Sequence, residues 1–228
     1  NLTSIDQTTD TCTNNFATFL GIEKDDETSL SEGNLKATFG SVGASGNAHS
    51  SIAINNSGKW YAEFKMSGTE AYGEPVVGIN DLIGWSAGIG YNSSRPNDSI
   101  GYQTNGKIQQ GGTLLTTVST WTNNDIIQVA FDGTTGRIYF GKNGTWQNSG
   151  DPSAGTGYVG TAPMTSDYIG FAVGGNGGTG STGDQIMLAN FGNPTFSISS
   201  GNSDANGYGN FEYSVPSGYY ALNTSNLN

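Results

Sequence analysis

His49 is the chain's only histidine and Cys12 its only cysteine. A zinc site needs several imidazoles or thiolates at ligand spacing, and neither residue has such a partner. Gly84-Trp85-Ser86-Ala87-Gly88 fits G-x-S-x-G by letters. That motif works as a strained strand-to-helix turn in an α/β sheet. Here it falls between predicted strands and reads as a Gly-rich turn. Glycoside hydrolysis needs a converging pair of carboxylates. The central acids are Glu63, Glu70, Glu74, Asp81, Asp98, Asp125, Asp132, Asp151, Asp167 and Asp184. Most sit beside Gly or Asn, where turn capping accounts for them. Asp204-Ala205-Asn206-Gly207-Tyr208 opens like a calcium loop but lacks the bidentate Glu at the right distance, so it reads as a turn. The expectation is a chain with no catalytic residues, no metal site and no cofactor.

The remaining chemistry is that of recognition. Trp85, Tyr102, Trp121 and Trp146 fall in or next to predicted turns, and Trp146 is followed by Asn148 and Asp151. An aromatic face among amides and carboxylates suits sugar stacking, and it suits packing under a loop equally well. Arg95, in NSSRPND, is one of few cations, and its guanidinium can read a carboxylate. The run Gly174–Gly183 has no Lys and no following helix, so it is no phosphate cradle. It is expected to be a flexible loop, with Gly174, Gly175, Asn176, Gly177 and Gly178 as its candidate recognition residues.

Composition limits the partners. The 228 residues carry 8 Lys and Arg against 19 Asp and Glu, a formal net charge of −11. Phosphate contacts need cations, so nucleic acid is a poor partner. Anionic lipid surfaces would repel the chain, and no apolar run is long enough to insert into a membrane. With one cysteine, no intrachain disulfide can form. The chain begins at Asn1 rather than Met, which reads as a processed product or part of a longer polypeptide.

The elements that position these residues are strands. Thirty-six glycines and abundant Asn, Ser and Thr imply many short strands and turns. In DIIQVAFDGTTGRIYFGKNG, Asp125 to Gly144, Ile127, Val129 and Phe131 alternate with polar or small residues. Asp132-Gly133 and Thr135-Gly136 supply a turn, Arg137 to Phe140 a returning strand, and Asn143-Gly144 the next turn. Trp60, Tyr61, Phe64, Phe131, Tyr139, Phe140, Tyr168 and Phe171 fall on predicted strands and are expected in the core. Leu35 to Phe39 and Ser51 to Ile54 are further strand candidates. No segment keeps a helical apolar period.

This hairpin resembles the central signature of the SPRY family, D-x-(I/V)-x-V-x-(F/L)-D followed by I-x-F-x-x-N-G. Gly58-Lys59-Trp60-Tyr61-Ala62-Glu63-Phe64 resembles the family's opening strand, and Val76-Val77-Gly78-Ile79 the next. Ile89 to Ile108 and Tyr168 to Val173 are similar to its glycine–tyrosine tract and a late core strand. The resemblance spans residues 50 to 192. The flanks resemble the wrapper around such domains in tailed-phage structural proteins. They are Thr13-Asn14-Asn15-Phe16-Ala17-Thr18 and Leu30 to Leu35 on one side. On the other are Asn190 to Pro194, Gly207 to Tyr213 and Pro216 to Tyr219. Phe19-Leu20-Gly21-Ile22 departs from the turn usual there.

The resemblance implies an all-β antiparallel sandwich, a SPRY-like, concanavalin-like jelly roll. Residues 1–49 are expected as an N-terminal arm with edge strands, 50–192 as the sandwich, and 193–228 as a C-terminal extended arm completing it. It further implies a non-catalytic recognition domain of a virion structural protein, in a fibre, tail or capsid appendage at the virion surface. Loops at one end would bind a host cell-surface glycan or protein. Other virion subunits and further copies of the chain are the expected assembly partners. The alternative is a purely structural assembly or decoration subunit of a virion or extracellular filament.

Overall fold

The computed structural model describes residues 14–21, 28–39, 45–54, 57–68, 74–81, 89–90, 99–164, 168–176 and 184–227. In chain order the strands begin with β1 (Thr28–Ser31), β2 (Lys36–Phe39), β3 (Ser45–His49), β4 (Lys59–Met66) and β5 (Val76–Asp81). Then come β6 (Ile100–Gln103), β7 (Lys107–Gln110), β8 (Thr113–Thr117), β9 (Ile126–Asp132) and β10 (Arg137–Lys142). The last are β11 (Thr145–Trp146), β12 (Gly160–Thr161), β13 (Ile169–Asn176), β14 (Gln185–Asn190) and β15 (Tyr220–Ala221). A single 3-10 turn covers Gln147–Ser149.

Two sheets form a β-sandwich. The larger has nine strands in the order β1-β2-β14-β4-β9-β10-β11, with β12 beside β10 and β15 beside β4. The smaller has six, in the order β3-β13-β5-β6-β7-β8. Every pairing is antiparallel except β15 with β4. Side chains on a strand alternate between faces, and β4 shows the consequence. Trp60, Ala62, Phe64 and Met66 enter the core between the sheets. Tyr61 joins a second cluster on the outer face with Ala130, Tyr139, Phe211, Tyr219 and Ala221.

The hairpin read from the sequence forms in register, Arg137 opposite Asp132 and Phe140 opposite Val129. Asp132 builds its turn. Its carboxylate accepts the N–H groups of Thr134 and Thr135 at 2.9 and 3.2 Å, and its carbonyl accepts that of Gly136 at 2.7 Å. Gly136 has φ +72° and would place a Cβ 2.0 Å from the Ala162 carbonyl oxygen, so no larger residue fits.

The chain's two ends are built into this body. Phe19 and Phe191 meet edge to face at 5.9 Å, and Phe191 meets Phe64 at 5.7 Å. Leu35, Ala37 and Phe39 of the expected N-terminal arm share the inner core. Residues 193–223 cross the outer face of the larger sheet, and β15 fills the slot beside Trp60 and Tyr61. The ends also pair with each other: Ala17 N–H donates to Leu222 O at 2.9 Å and Thr224 N–H to Asn15 O at 3.0 Å.

Three local expectations change. Ser51 to Ile54 is no strand; the strand is β3, and Ser50 and Ile54 make only isolated bridges. Gly174, Gly175 and Asn176 are not loop but the end of β13, paired to Gly46 and its neighbours on β3. The absence of a side chain at Gly175 lets Phe39 lie close, since a Cβ there would stand 2.5 Å from its ring. Tyr168 lies outside a strand and is 51 % exposed, because β13 begins one residue later.

Glu63 fixes the C-terminal segment. It lies on the outer face of β4, fully buried. Its Oε1 accepts the Tyr61 hydroxyl at 2.9 Å and the Tyr213 N–H at 2.8 Å. Its Oε2 accepts the Glu212 N–H at 2.9 Å and the Asn190 amide at 3.2 Å. Burial pushes this carboxyl above the usual Glu range, and the four donors offset part of that rise. Glu63→Gln turns an amide N–H toward groups that are themselves donors. The expected loss is about 1–3 kcal/mol in urea unfolding. A raised folded-state value means Glu63's contribution is full below the unfolded value and falls as pH rises through the folded one. The stability gap between wild type and Glu63→Gln should therefore widen from about pH 7 to about pH 4; a gap independent of pH contradicts this assignment.

Candidate functional site

One end of the sandwich carries a depression of about 370 Å³, lined by Gln110, Thr113, Leu115, Thr161 and Pro163. Gln110 ends β7, Thr113 and Leu115 belong to β8, and Thr161 ends β12. The depression thus lies where the last strand of the smaller sheet meets the rim of the larger. Gln110 Nε2 donates to Thr161 O at 2.8 Å and joins the two walls. Leu115 reaches across to Gly160, where a Cβ would come 2.9 Å from its Cδ1. The lining combines an amide, two hydroxyls and apolar surface with no charged group. Such a surface suits a neutral ligand that offers hydroxyls or amides alongside an apolar face.

The β7–β8 turn at Gly111 and Gly112 holds the neighbouring connection between β5 and β6. Gly112 N–H donates to Gly90 O at 2.9 Å, and Gly90 N–H to Ser99 Oγ at 2.7 Å. Ile89 is buried against Val76 and Ala172. Trp85 and Arg95, expected at the ligand surface, lie outside the described residues, as do the G-x-S-x-G letters and Gly177 and Gly178.

The other residues expected at a ligand surface divide among separate places. Tyr102 is fully buried and Trp121 is 2 % exposed. Their rings meet edge to face at 6.0 Å, and Tyr102 also packs on Phe140 at 5.4 Å. The Tyr102 hydroxyl donates to Ser119 O. This pair closes the opposite end of the sandwich, so the expected ligand contact becomes core packing. The sequence placed these rings next to turns, but the turns fold over them. Gly174, Gly175 and Asn176 lie toward that same far end, where Gly174 pairs with Val76 and Val76 with Gln103.

Trp146, Asn148 and Asp151 lie along the edge of the larger sheet. Trp146 is half-buried, its ring edge-on to Tyr61 at 6.5 Å. Asn148 is exposed and donates to Gly157 O and Tyr158 O at 3.4 and 3.3 Å. Asp151 is exposed, and its Oδ1 accepts the Ala154 N–H at 3.0 Å. Both polar side chains shape their own loop. Arg137 stacks on the exposed Tyr158 ring, 4.8 Å from its centroid.

The carboxylates have structural partners. Asp125 meets Lys142 at 3.1 Å. Partial burial works to raise its carboxyl, but hydrogen bonds from Asn143 and Thr122 together with Lys142 hold it below the usual range. Asp204 accepts from the N–H groups of Asn206, Tyr208 and Ala221 and from the Asn226 amide, which makes it the turn expected there. His49 is buried in the smaller sheet with Nε2 3.0 Å from the Asn80 amide. Among the described residues no group of three His, Cys, Asp or Glu gathers to hold a metal ion. No described helix is long and apolar enough to cross a membrane.

Sequence reasoning passed over Gln110, Thr113, Leu115, Thr161 and Pro163. One signal was present: Leu114-Leu115 within Gly-Gly-Thr-Leu-Leu-Thr-Thr, apolar neighbours where a half-buried strand would alternate.

No family model matches the sequence, and a search of the curated proteins finds no significant match. Solved structures are similar in fold. The SPRY domain of human HERC1 superposes with a TM-score of 0.59 at 18% identity, covering 75% of this chain and 96% of that one. Stonustoxin superposes with a TM-score of 0.50 at 17% identity, covering 76% of this chain and 27% of its own. The fold is therefore SPRY-like.

Trp121→Ala tests the core placement. It should destabilise the chain by about 3–5 kcal/mol in denaturant unfolding. A loss near zero would return Trp121 to the surface.

Proposed function

We propose that this chain is a non-catalytic recognition domain that binds through the end of the sandwich carrying Gln110, Thr113, Leu115, Thr161 and Pro163. The carrying observation is the uncharged lining of that depression. The lining offers no carboxylate, imidazole or amine to act as acid or base or to activate its Thr hydroxyls, but it presents hydroxyl and amide groups to a bound molecule. The ligand class is a neutral surface glycan or a short uncharged stretch of protein on a host cell. The SPRY-like fold supports the reading, because its rigid strands hold loops and strand ends in register.

The setting proposed is the surface of a virion, on a fibre, tail or capsid appendage. Its support is the resemblance of the flanks to those of tailed-phage structural proteins. The packing of both flanks into the body fits an appended unit joined to a larger particle.

The experiment is binding of the purified chain to a panel of bacterial surface glycans and uncharged peptides, beside Thr161→Arg, which fills the depression. Thr161 is exposed, so the variant should fold. Binding by the wild type and at least a tenfold loss in the variant is the expected result. Equal binding by both moves the site elsewhere, and no binding by either removes the recognition reading.

A further inference from the structure

A sandwich must close or protect the edges of both sheets, since an open edge presents a row of unpaired N–H and C=O groups. Here most edges are covered by the chain itself. On the smaller sheet, the N-terminal segment lies against β3: Leu20 N–H donates to His49 O at 2.8 Å and Ser51 N–H to Thr18 O at 2.6 Å. On the larger sheet, β11 and β12 cover β10, and β15 fills the slot that β14 leaves beside β4. Two edges remain. β1 is four residues long and directly flanked in sequence by Glu27 and Glu32, with Asp25 and Asp26 just before. β8 ends the six-strand order with β7 on one side and no described strand on the other.

The β8 edge lacks the usual protection. It holds no Pro and no charged residue, and its irregularity is one bulge against Ile108 and Gln109. Leu114 is 51 % exposed and Leu115 38 %, two of the five exposed large hydrophobic residues described. From Ser99 to Asn124 the chain contains no Asp or Glu, although it holds 19 in all.

We propose that β8 is a self-association edge, where a second copy of this chain adds its own β8 antiparallel and joins two six-stranded sheets into one. Charge selects the occupant. Two bodies of net charge −11 repel each other, and this acid-free stretch lets them meet without facing carboxylates. Thr116 pairs with Ile108 and Leu114 with Gln109, so Leu115 is the extra residue of the bulge; both leucines are exposed along this edge, where a strand laid alongside covers them. The contact is isologous, each copy offering the same residues, and it closes as a two-fold dimer. Main-chain hydrogen bonds supply the attraction, as in other strand additions. The inference does not depend on the ligand reading, although Thr113 and Leu115 also line the depression; sedimentation without ligand reads it separately.

Sedimentation velocity of the purified chain, from low-micromolar to sub-millimolar concentration, tests it. The expected mass is twice 23.7 kDa. Leu114→Lys should weaken the dimer at least tenfold while leaving the unfolding midpoint unchanged. Mixing Leu114→Lys with Leu114→Glu should restore association, which misfolding cannot mimic. Sedimentation at 23.7 kDa throughout overturns the proposal. So does a wild-type dimer that both Leu114→Lys and Leu115→Lys leave intact.

Discussion

Four donors converge on the fully buried Glu63 carboxylate, and among the described residues no Lys or Arg pairs with it. A buried carboxylate without partners is costly, so the donors must stay where they are. Two of them are the backbone N–H groups of Glu212 and Tyr213, far along the chain. Their position sets the path of the C-terminal segment over the larger sheet. From that path follow the burial of Phe211 and Tyr219, the parallel pairing of β15, and the contact with the N-terminal segment. One desolvated side chain thus commits the sheet's outer face to the chain's own end.

That commitment shapes what is left for recognition. The outer face of the larger sheet is occupied, and the N-terminal segment covers β3. Tyr102 and Trp121 plug the far end. Among the described residues, the corner where β7, β8 and β12 meet stays open. There the depression and the free flank of β8 adjoin, both without charge on an acidic protein. A binding end and an assembly edge can therefore share one rigid support.

The fold was largely legible in the sequence. The alternation of Ile127, Val129 and Phe131, the Asp132-Gly133 turn and the opening strand at Lys59 form as read, because strand period and turn chemistry are local properties. The aromatic residues show where local reading stops. Tyr102 and Trp121 sit beside turns in the sequence and deep in the core in space. Whether a ring next to a turn faces water depends on which way the turn folds, and that is set by residues distant in the chain. Gly174 and Gly175 carry the same lesson. They read as loop by composition, yet they extend β13 by pairing with Asn47 and Gly46 of β3, and Phe39 packs where a Gly175 side chain would stand.

The sequence by itself determined the two-sheet class, the main hairpin, the acidity and the turn role of Asp204. The hairpin and the Asp204 turn depend on residues within about one strand of each other, the acidity is a sum over the composition, and the two-sheet class follows from the order of motifs along the chain. Only the tertiary structure decided that Glu63 clamps the C-terminal segment, and that Thr161 comes to face Gln110. It alone decided that β8 is left at an edge. These facts arise from strand order, and strand order is fixed by long-range burial of faces that no local pattern encodes.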